Sequence, residues 1–363
     1  MAKRRFKFLN VLLFLAGAGS VTHADDACPP SAVLTSVDMR VAGDGRIYLP
    51  VKIGETSKSM LVDTGGVFSE VTQQLADELK LPTRRTRLVL VGVSGDTIDM
   101  ATRAAFTLGN LHADATDFMI IPDAEGFADE VSDAAGILAP NLMTSYDVEI
   151  DFAAMKFSLH SQQHCDGKAV RWTPQTVTVV AIRLDPGGHI QLPVELDGQK
   201  LTATLDTGAT SSVLNLELAK YSFGLTLGDA DTPEFGRLLR SPSSKTYAHR
   251  FHSLALEGLV VANPTLHLIP DLVRNKMRNP GDSLKGGSRL PDSNQTQGFG
   301  DLILGMNILR QWHIYIAYKE QKLYLAPAPI AVSLDSTRTV DQPAVSLPQP
   351  AAMPPKPAGL EPH

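Results

Sequence analysis

Apolar residues along most of this chain recur at every second position or in short continuous runs, a pattern that predicts β-strands. In the first half, the predicted strands cover residues 46–53, 60–63, 87–93, 97–108, 117–121 and 148–159. Gly, Pro, Asp and Asn separate these runs, as is typical of turns. The fold class that follows is all-β.

Helical spacing is rare in the chain. The clearest helix is predicted to start at Ser69 as N-cap and to place Val71, Leu75 and Leu79 on one face. A counterpart is expected after Asn215, with a less regular apolar face. Near the C-terminus the chain is rich in Pro, Ala and Ser without periodicity, so we expect residues 329–363 to be a disordered tail.

The pattern of the first half returns in the second half. Residues 45–51 match residues 188–194, and an Asp-Thr-Gly tripeptide follows each match, both at an offset of 143. Later segments match at offsets of 148 and then 166, so the second half has five added residues and then 18 more (166 minus 148) between Asp271 and Ile303. Copies in register predict a duplicated chain with two equivalent lobes.

The two tripeptides carry the candidate chemistry. Asp63 and Asp206 each follow an apolar strand, while Gly65 and Gly208 permit tight turns where two loops can approach. Two carboxyl groups in contact do not both ionise readily, so they share a proton and titrate as a unit. The ionised member can activate water, and the protonated member can hydrogen-bond a substrate carbonyl. A turn role for either Asp is the simpler alternative, and the duplication in register disfavours it.

The two Asp-Thr-Gly motifs, followed in the second half by the hydrophobic-hydrophobic-Gly element Ile303-Leu304-Gly305, resemble the aspartic proteases. Residues 206–211 resemble the bacterial retropepsin-like branch of that family. The resemblance covers residues 40–328 and implies two acid-protease-like β-barrel lobes, related by a pseudo-twofold axis, with an active-site cleft between them. It implies an aspartic endopeptidase that hydrolyses an extended peptide or protein. Thr64 and Thr207 are expected to lock the two loops together.

The resemblance also implies a β-hairpin flap on each lobe. The first flap is expected at residues 88–100, and the second, longer and with only Gly236, within residues 235–247. The expected substrate-binding residues at the tip of the first flap are Gly92, Val93, Ser94 and Gly95.

One departure from the family pattern lies in the first lobe. Ala139-Pro140 stands where a glycine is expected, which adds a methyl group and removes a backbone donor near the active loop. We expect the change to be tolerated. It keeps open the alternative of a catalytically inactive peptide-binding or assembly module that retains the fold.

The N-terminus has the features of an export signal. Residues 1–24 comprise a basic start, an apolar stretch at 8–18 and the cleavage sequence Thr22-His23-Ala24, so we expect a periplasmic or secreted protein. The apolar stretch is too short to favour stable membrane insertion. Removal of residues 1–24 leaves 29 basic residues (33 minus four) against 39 acidic ones. The resulting net charge near -10 disfavours a nucleic-acid partner.

The remaining expectations concern cysteines, metals and boundaries. Cys28 and Cys165 are predicted to form a disulfide. A metal site from His160, His164 and Cys165 is the weaker alternative, so no metal and no cofactor is expected, and the protein is expected to be a monomer.

The predicted divisions are an extension at 25–39, lobes at 40–162 and 176–328, a linker at 163–175 and an insertion at 273–300. That insertion is either a solvated loop or a segment that gates the cleft or is clipped.

Overall fold

The computed structural model describes residues 31–91, 97–122, 127–170, 177–238, 241–270 and 300–328. In chain order, the first half contains β1 (Val33–Asp38), β2 (Arg40–Val41), β3 (Ile47–Ile53), β4 (Thr56–Val62), β5 (Glu70–Thr72), α1 (Gln73–Glu78), β6 (Thr83–Val91), β7 (Thr97–Leu108), β8 (Leu111–Ile121), β9 (Ala134–Leu138), α2 (Pro140–Met143), β10 (Asp147–Asp151) and β11 (Lys156–His160). The second half contains β12 (Thr178–Ala181), β13 (Arg183–Leu184), β14 (Ile190–Leu196), β15 (Gln199–Leu205), β16 (Val213–Asn215), α3 (Leu216–Phe223), β17 (Glu234–Leu238), β18 (Ser241–Arg250), β19 (Ser253–Leu256), β20 (Leu259–Ala262), β21 (Thr265–Ile269), β22 (Leu302–Leu304), α4 (Met306–Leu309), β23 (Trp312–Ala317) and β24 (Lys322–Pro327).

Each half builds its own lobe around a strongly bent sheet. The first lobe has the strand order β2-β3-β4-β9-β5-β8-β7-β6, and an added β3–β7 pairing closes it into a barrel. The second lobe has the order β17-β18-β21-β16-β22-β15-β14-β19-β20. The prediction of an all-β fold with two acid-protease-like lobes is confirmed.

Alternation of apolar and polar residues explains how these strands cover the cores. In β3, Ile47, Leu49 and Ile53 are fully buried, while Pro50 and Lys52 between them are exposed. Successive side chains of a strand point to opposite faces, so this pattern presents one apolar face to the lobe interior. Each such buried aliphatic side chain contributes about 1.5–3 kcal/mol to folding.

A six-stranded sheet, in the order β1-β11-β10-β23-β24-β12, joins the two lobes. At its centre β10 runs antiparallel to β23, with Val148 opposite Ile316 and Ile150 opposite Ile314. Val148 and Ile314 are related by the sequence offset of 166, as are Ile150 and Ile316. Exchanging the two halves therefore converts each of these pairs into the other. The pseudo-twofold axis therefore passes through this sheet.

Two predicted elements have different limits in the structure. The run 148–159 is a hairpin of β10 and β11, because Asp151 accepts backbone hydrogen bonds in the turn and Met155 adopts a left-handed φ of 55°. Helix α1 begins at Gln73 with Thr72 as N-cap, so the prediction of Ser69 as N-cap is wrong. The counterpart α3 has Asn215 as its N-cap, as expected.

The two flap-like hairpins also differ from expectation. Five residues, 92–96, connect β6 to β7, whereas only two, 239–240, connect β17 to β18, so the second hairpin is not the longer one. The first five extra residues of the second half lie earlier, between the end of α3 and the start of β17. No helix in the described part of the chain is long and apolar enough to cross a membrane.

Candidate active site

The two candidate aspartates stand at the ends of equivalent strands. β4 runs parallel to β9, and β15 runs parallel to β22, in the same register. The ladder continues one bond further in each lobe: the Asp63 amide donates to the Leu138 carbonyl and the Asp206 amide to the Leu304 carbonyl, both at 3.0 Å. Parallel pairing on one side thus fixes where each aspartate leaves its sheet.

Each carboxyl group is oriented by its own loop. Oδ1 of Asp63 accepts hydrogen bonds from the amides of Gly65 (2.8 Å) and Gly66 (3.0 Å). Oδ1 of Asp206 accepts equivalent bonds from Gly208 (2.9 Å) and Ala209 (3.1 Å). Backbone donors of this kind hold a carboxylate in one orientation.

The glycines of the two motifs let each loop lie against the opposite aspartate. A Cβ atom at Gly65 would stand 2.4 Å from Cγ of Asp206, and one at Gly208 would stand 2.5 Å from Cγ of Asp63. Any side chain at either position would collide with a carboxyl group. With the glycines in place, the Asp63 and Asp206 carboxyl groups come close enough for each to shift the pKa of the other.

Two threonines cross-link the loops beneath the carboxyl groups. The Thr64 amide donates to Oγ1 of Thr207 and the Thr207 amide donates to Oγ1 of Thr64, both at 3.1 Å. Each hydroxyl then donates across to the other lobe, Thr64 to the Leu205 carbonyl (2.8 Å) and Thr207 to the Val62 carbonyl (2.7 Å). Both threonines are fully buried, so water cannot replace these four bonds.

The pKa of both carboxyl groups is raised, although the causes differ. Burial, the negative charge of Asp63 and the hydrogen bond to Asp63 together hold the pKa of Asp206 well above its ordinary value. Burial also raises the pKa of Asp63, but hydrogen bonds from Asp206, Gly65 and Gly66 oppose that rise, with a smaller contribution from His189. Two buried carboxyl groups whose pKa values depend on each other titrate as a unit.

A second pair of hydrogen-bond networks supports the loops. In the first lobe, Ser69 donates to Asn141 Oδ1 through its amide (2.7 Å) and hydroxyl (2.9 Å), and its Oγ accepts from the Ala139 amide (2.9 Å). The second lobe repeats this arrangement: Ser212 donates to Asn307 Oδ1 through its amide (2.7 Å) and hydroxyl (2.8 Å), and its Oγ accepts from the Gly305 amide (3.0 Å). Sequence reasoning missed these residues, although both pairs recur at the repeat offsets. They explain why Ser69 is not available to cap a helix.

The Ala139-Pro140 departure lies against Gly66 of the Asp63 loop. A Cβ atom at Gly305 would lie 2.5 Å from the Ser211 carbonyl carbon, so the second lobe requires glycine there. Ala139 does carry a methyl group, and a Cβ added at Gly66 would lie 3.3 Å from it. The second lobe has Ala209 in place of Gly66. The Ala139 methyl group thus faces a glycine of the Asp63 loop, whereas Gly305 lies against the backbone of the Asp206 loop, which carries Ala209.

Each lobe also sends a turn across to the other. A Cβ at Gly188 (φ 86°) would lie 2.9 Å from Pro140 Cβ, and one at Gly45 (φ 88°) would lie 3.5 Å from Met306 Cβ. A cavity of about 200 Å³ opens beside the first of these contacts. Its lining residues are Val67, Phe68, Pro140, Asn141, Thr144, Pro186, Gly187 and Gly188.

Several residues predicted from the sequence to matter are not among those that the structure describes. Gly92, Val93, Ser94, Gly95 and Cys28 lie outside the described residues, and so do the signal sequence, the tail and nearly all of the 273–300 insertion. The pairing of Cys28 with Cys165 stays a prediction. His160 and His164 hydrogen-bond Glu149 (2.8 Å) and Asp147 (2.6 Å), and no group of three His, Cys, Asp or Glu side chains among the described residues could hold a metal ion.

With this geometry in place, the comparisons with known proteins identify the family. The family model described as aspartyl protease matches residues 49–139 and 192–308, that is 91 and 117 residues or 208 of 363. The chain belongs to the aspartyl protease family. Both matched regions include an Asp-Thr-Gly motif and the strand that pairs beside it, so the family resemblance predicted from sequence is confirmed.

Two solved structures show how this family member compares at the level of the whole chain. The aspartic proteinase from Irpex lacteus has 15% sequence identity and a TM-score of 0.44, with 82% of this chain and 98% of that chain covered. Basic 7S globulin from soybean has 9% identity and a TM-score of 0.47, with 82% and 95% covered. The comparison with curated proteins gives no match.

Proposed function

We propose that this aspartyl protease family member is an active endopeptidase in which Asp63 and Asp206 activate water. The observation that carries the proposal is the close approach of the two carboxyl groups, each held by two backbone amides and each with a raised pKa. A pair of turn residues without catalytic function would not need two buried carboxyl groups in contact, because that arrangement costs free energy.

The proposed reaction uses both protonation states of the pair. Asp63 removes one proton from a water molecule as the water oxygen bonds to the substrate carbonyl carbon, and Asp206 gives its proton to the carbonyl oxygen. When the carbon–nitrogen bond breaks, the nitrogen takes the proton now on Asp63, and one hydroxyl of the intermediate returns a proton to Asp206. The pair ends with the single proton with which it began.

An extended peptide is the proposed substrate. A cleft between the two lobes, with a hairpin of each lobe beside it, suits a strand-like ligand that pairs through its backbone. The N-terminal features support the further proposal that the enzyme acts in the periplasm or outside the cell. We also propose that it works as a monomer, since one chain supplies both aspartates.

The test is cleavage of a defined peptide mixture by the purified protein between pH 3 and pH 8, with products identified by mass spectrometry. The wild type should produce new peptide termini, and the D206N variant should produce none while keeping its circular dichroism spectrum. The matched control is E55Q, which changes an exposed carboxylate in the turn between β3 and β4 and should cleave like the wild type.

Full activity in D206N would contradict the proposed mechanism. Binding of a statine-type inhibitor without any product from the wild type across this pH range would instead favour a peptide-binding module that retains the fold.

A further inference from the structure

A third carboxyl group lies beside the aspartate pair and takes no part in the mechanism above. Glu70 is the first residue of β5, seven positions after Asp63 (70 minus 63), and pairs with Met119 of β8 and Ile137 of β9. The next residue, Val71, is fully buried in the lobe core. Because side chains alternate along a strand, Glu70 points to the opposite face, together with Met119.

That face of the first lobe is apolar. Met119, Ile98 and Ala101 form a small buried cluster there, and Phe68 and Ile121 pack against it. Glu70 is half-buried at this cluster, and none of the side chains that the structure describes forms an ion pair or hydrogen bond with it. The carboxyl group is therefore half-buried beside apolar side chains and has no counter-ion among the described residues.

The second lobe shows that the fold does not require a carboxyl group at this place. Val213 occupies the equivalent position, paired with His267 of β21 and Ile303 of β22 in the same register. Valine suits a half-buried strand position better than glutamate does. Glu70 is thus a polar substitution confined to one half of the proposed cleft.

The electrostatics of Glu70 favour a cation beside it. Burial, and then the negative charge of Asp63, raise its pKa to about 8. A nearby positive charge would offset both effects, since it stabilises the ionised form. Apolar walls around the carboxyl group would contact the methylene chain of such a cation.

We propose that Glu70 determines specificity by receiving a cationic side chain, lysine or arginine, of the peptide substrate in the half of the cleft formed by the first lobe. The inference rests on the proposed peptidase function. It adds to that function a preference for basic residues at one substrate position near the scissile bond, on the side of the first lobe.

The experiment uses a set of peptides in which lysine is placed at each of three positions on either side of the cleaved bond, each with a norleucine partner of similar length. For the wild type, lysine at one position should raise kcat/KM over norleucine by about tenfold or more, as expected for a partly buried ion pair. In E70Q that ratio should fall towards one. The control E55Q, an exposed carboxylate on the same lobe, should keep the wild-type ratio.

The proposal is overturned if no position favours lysine in the wild type, or if E70Q keeps the preference. Should E70Q fail to fold, E70V, which copies the residue of the second lobe, takes its place. Should the wild type cleave no peptide, the proposed function fails, and calorimetric binding of the same peptides decides this proposal separately. Tighter binding of the lysine peptide by the wild type but not by the variant supports it, and equal binding overturns it.

Discussion

The two lobes share one framework but surround their aspartates differently. Strand register, the two amide bonds to each carboxyl group and the threonine cross-links are the same in both lobes. The glycine of the second lobe at Gly305 is replaced by Ala139 in the first, and Val213 of the second is replaced by Glu70. The comparison teaches that the loops and their cross-links keep the carboxyl groups together, while neighbouring positions are free to diverge.

The largest expected effect is on peptide turnover, for which the aspartates of both lobes should be equally necessary. Replacing either one in D63N or D206N should lower kcat by about 10³-fold or more, because the pair acts as a unit. The asparagine Oδ1 can still accept the loop amides, so both variants should fold. Peptide turnover and circular dichroism measure these two outcomes. A variant of one lobe that kept substantial activity would break the comparison.

The threonine cross-link should also be symmetrical. T64V and T207V each remove a hydroxyl that accepts one bond and donates another inside the protein, which should lower the free energy of unfolding by about 2–4 kcal/mol. T64S and T207S retain the hydroxyl and should lie close to the wild type. Urea unfolding measures all four variants. A large loss in only one of the two valine variants would show that the lobes depend on the lock unequally.

Much of this framework could be predicted from the sequence because it depends on local patterns. Alternating apolar residues predict the strands, and two copies of Asp-Thr-Gly at one offset predict the pair of loops. The support from Ser69 could not be predicted locally, since its partner Asn141 lies 72 residues away and a serine before apolar residues also fits a helix cap.

The unequal hairpins and Glu70 show a different limit of sequence reasoning. The change of offset from 143 to 148 counts five added residues without giving their exact place, and they lie before β17 rather than in the hairpin turn. Glu70 stands between Ser69 and Val71 in a run of mixed polarity, and its surroundings depend on how the strands pair. Such features become visible only when distant segments are brought together.

Exchanging alanine and glycine should affect stability more at Gly305 than at Ala139. G305A places a methyl group 2.5 Å from the Ser211 backbone, so it should destabilise the protein by about 1–3 kcal/mol. A139G removes a methyl group from a position that already accommodates it and should cost about 1 kcal/mol or less. Thermal unfolding compares the two variants. Equal effects would argue against compensation by Gly66 in the first lobe.

The remaining expected effect is the pH dependence that Glu70 contributes to stability. Its pKa in the folded protein, about 8, lies above the ordinary 4.5, so its contribution to stability is complete below pH 4.5 and is lost as the pH rises towards 8. E70Q lacks this titration and should lose less stability than the wild type between about pH 5 and pH 9. Denaturant unfolding at both pH values measures the difference, and identical losses would show that Glu70 does not titrate as described.

The pH profile of kcat/KM for one cleaved peptide tests the central claim most directly. If Asp63 is ionised while Asp206 holds the proton, the profile should be bell-shaped, with activity lost at low pH as Asp63 is protonated and at high pH as Asp206 ionises. E70Q should keep both limbs, since the two aspartates produce them. A profile without an acidic limb, or one that D206N reproduces, would contradict the claim that the two lobes share one catalytic proton.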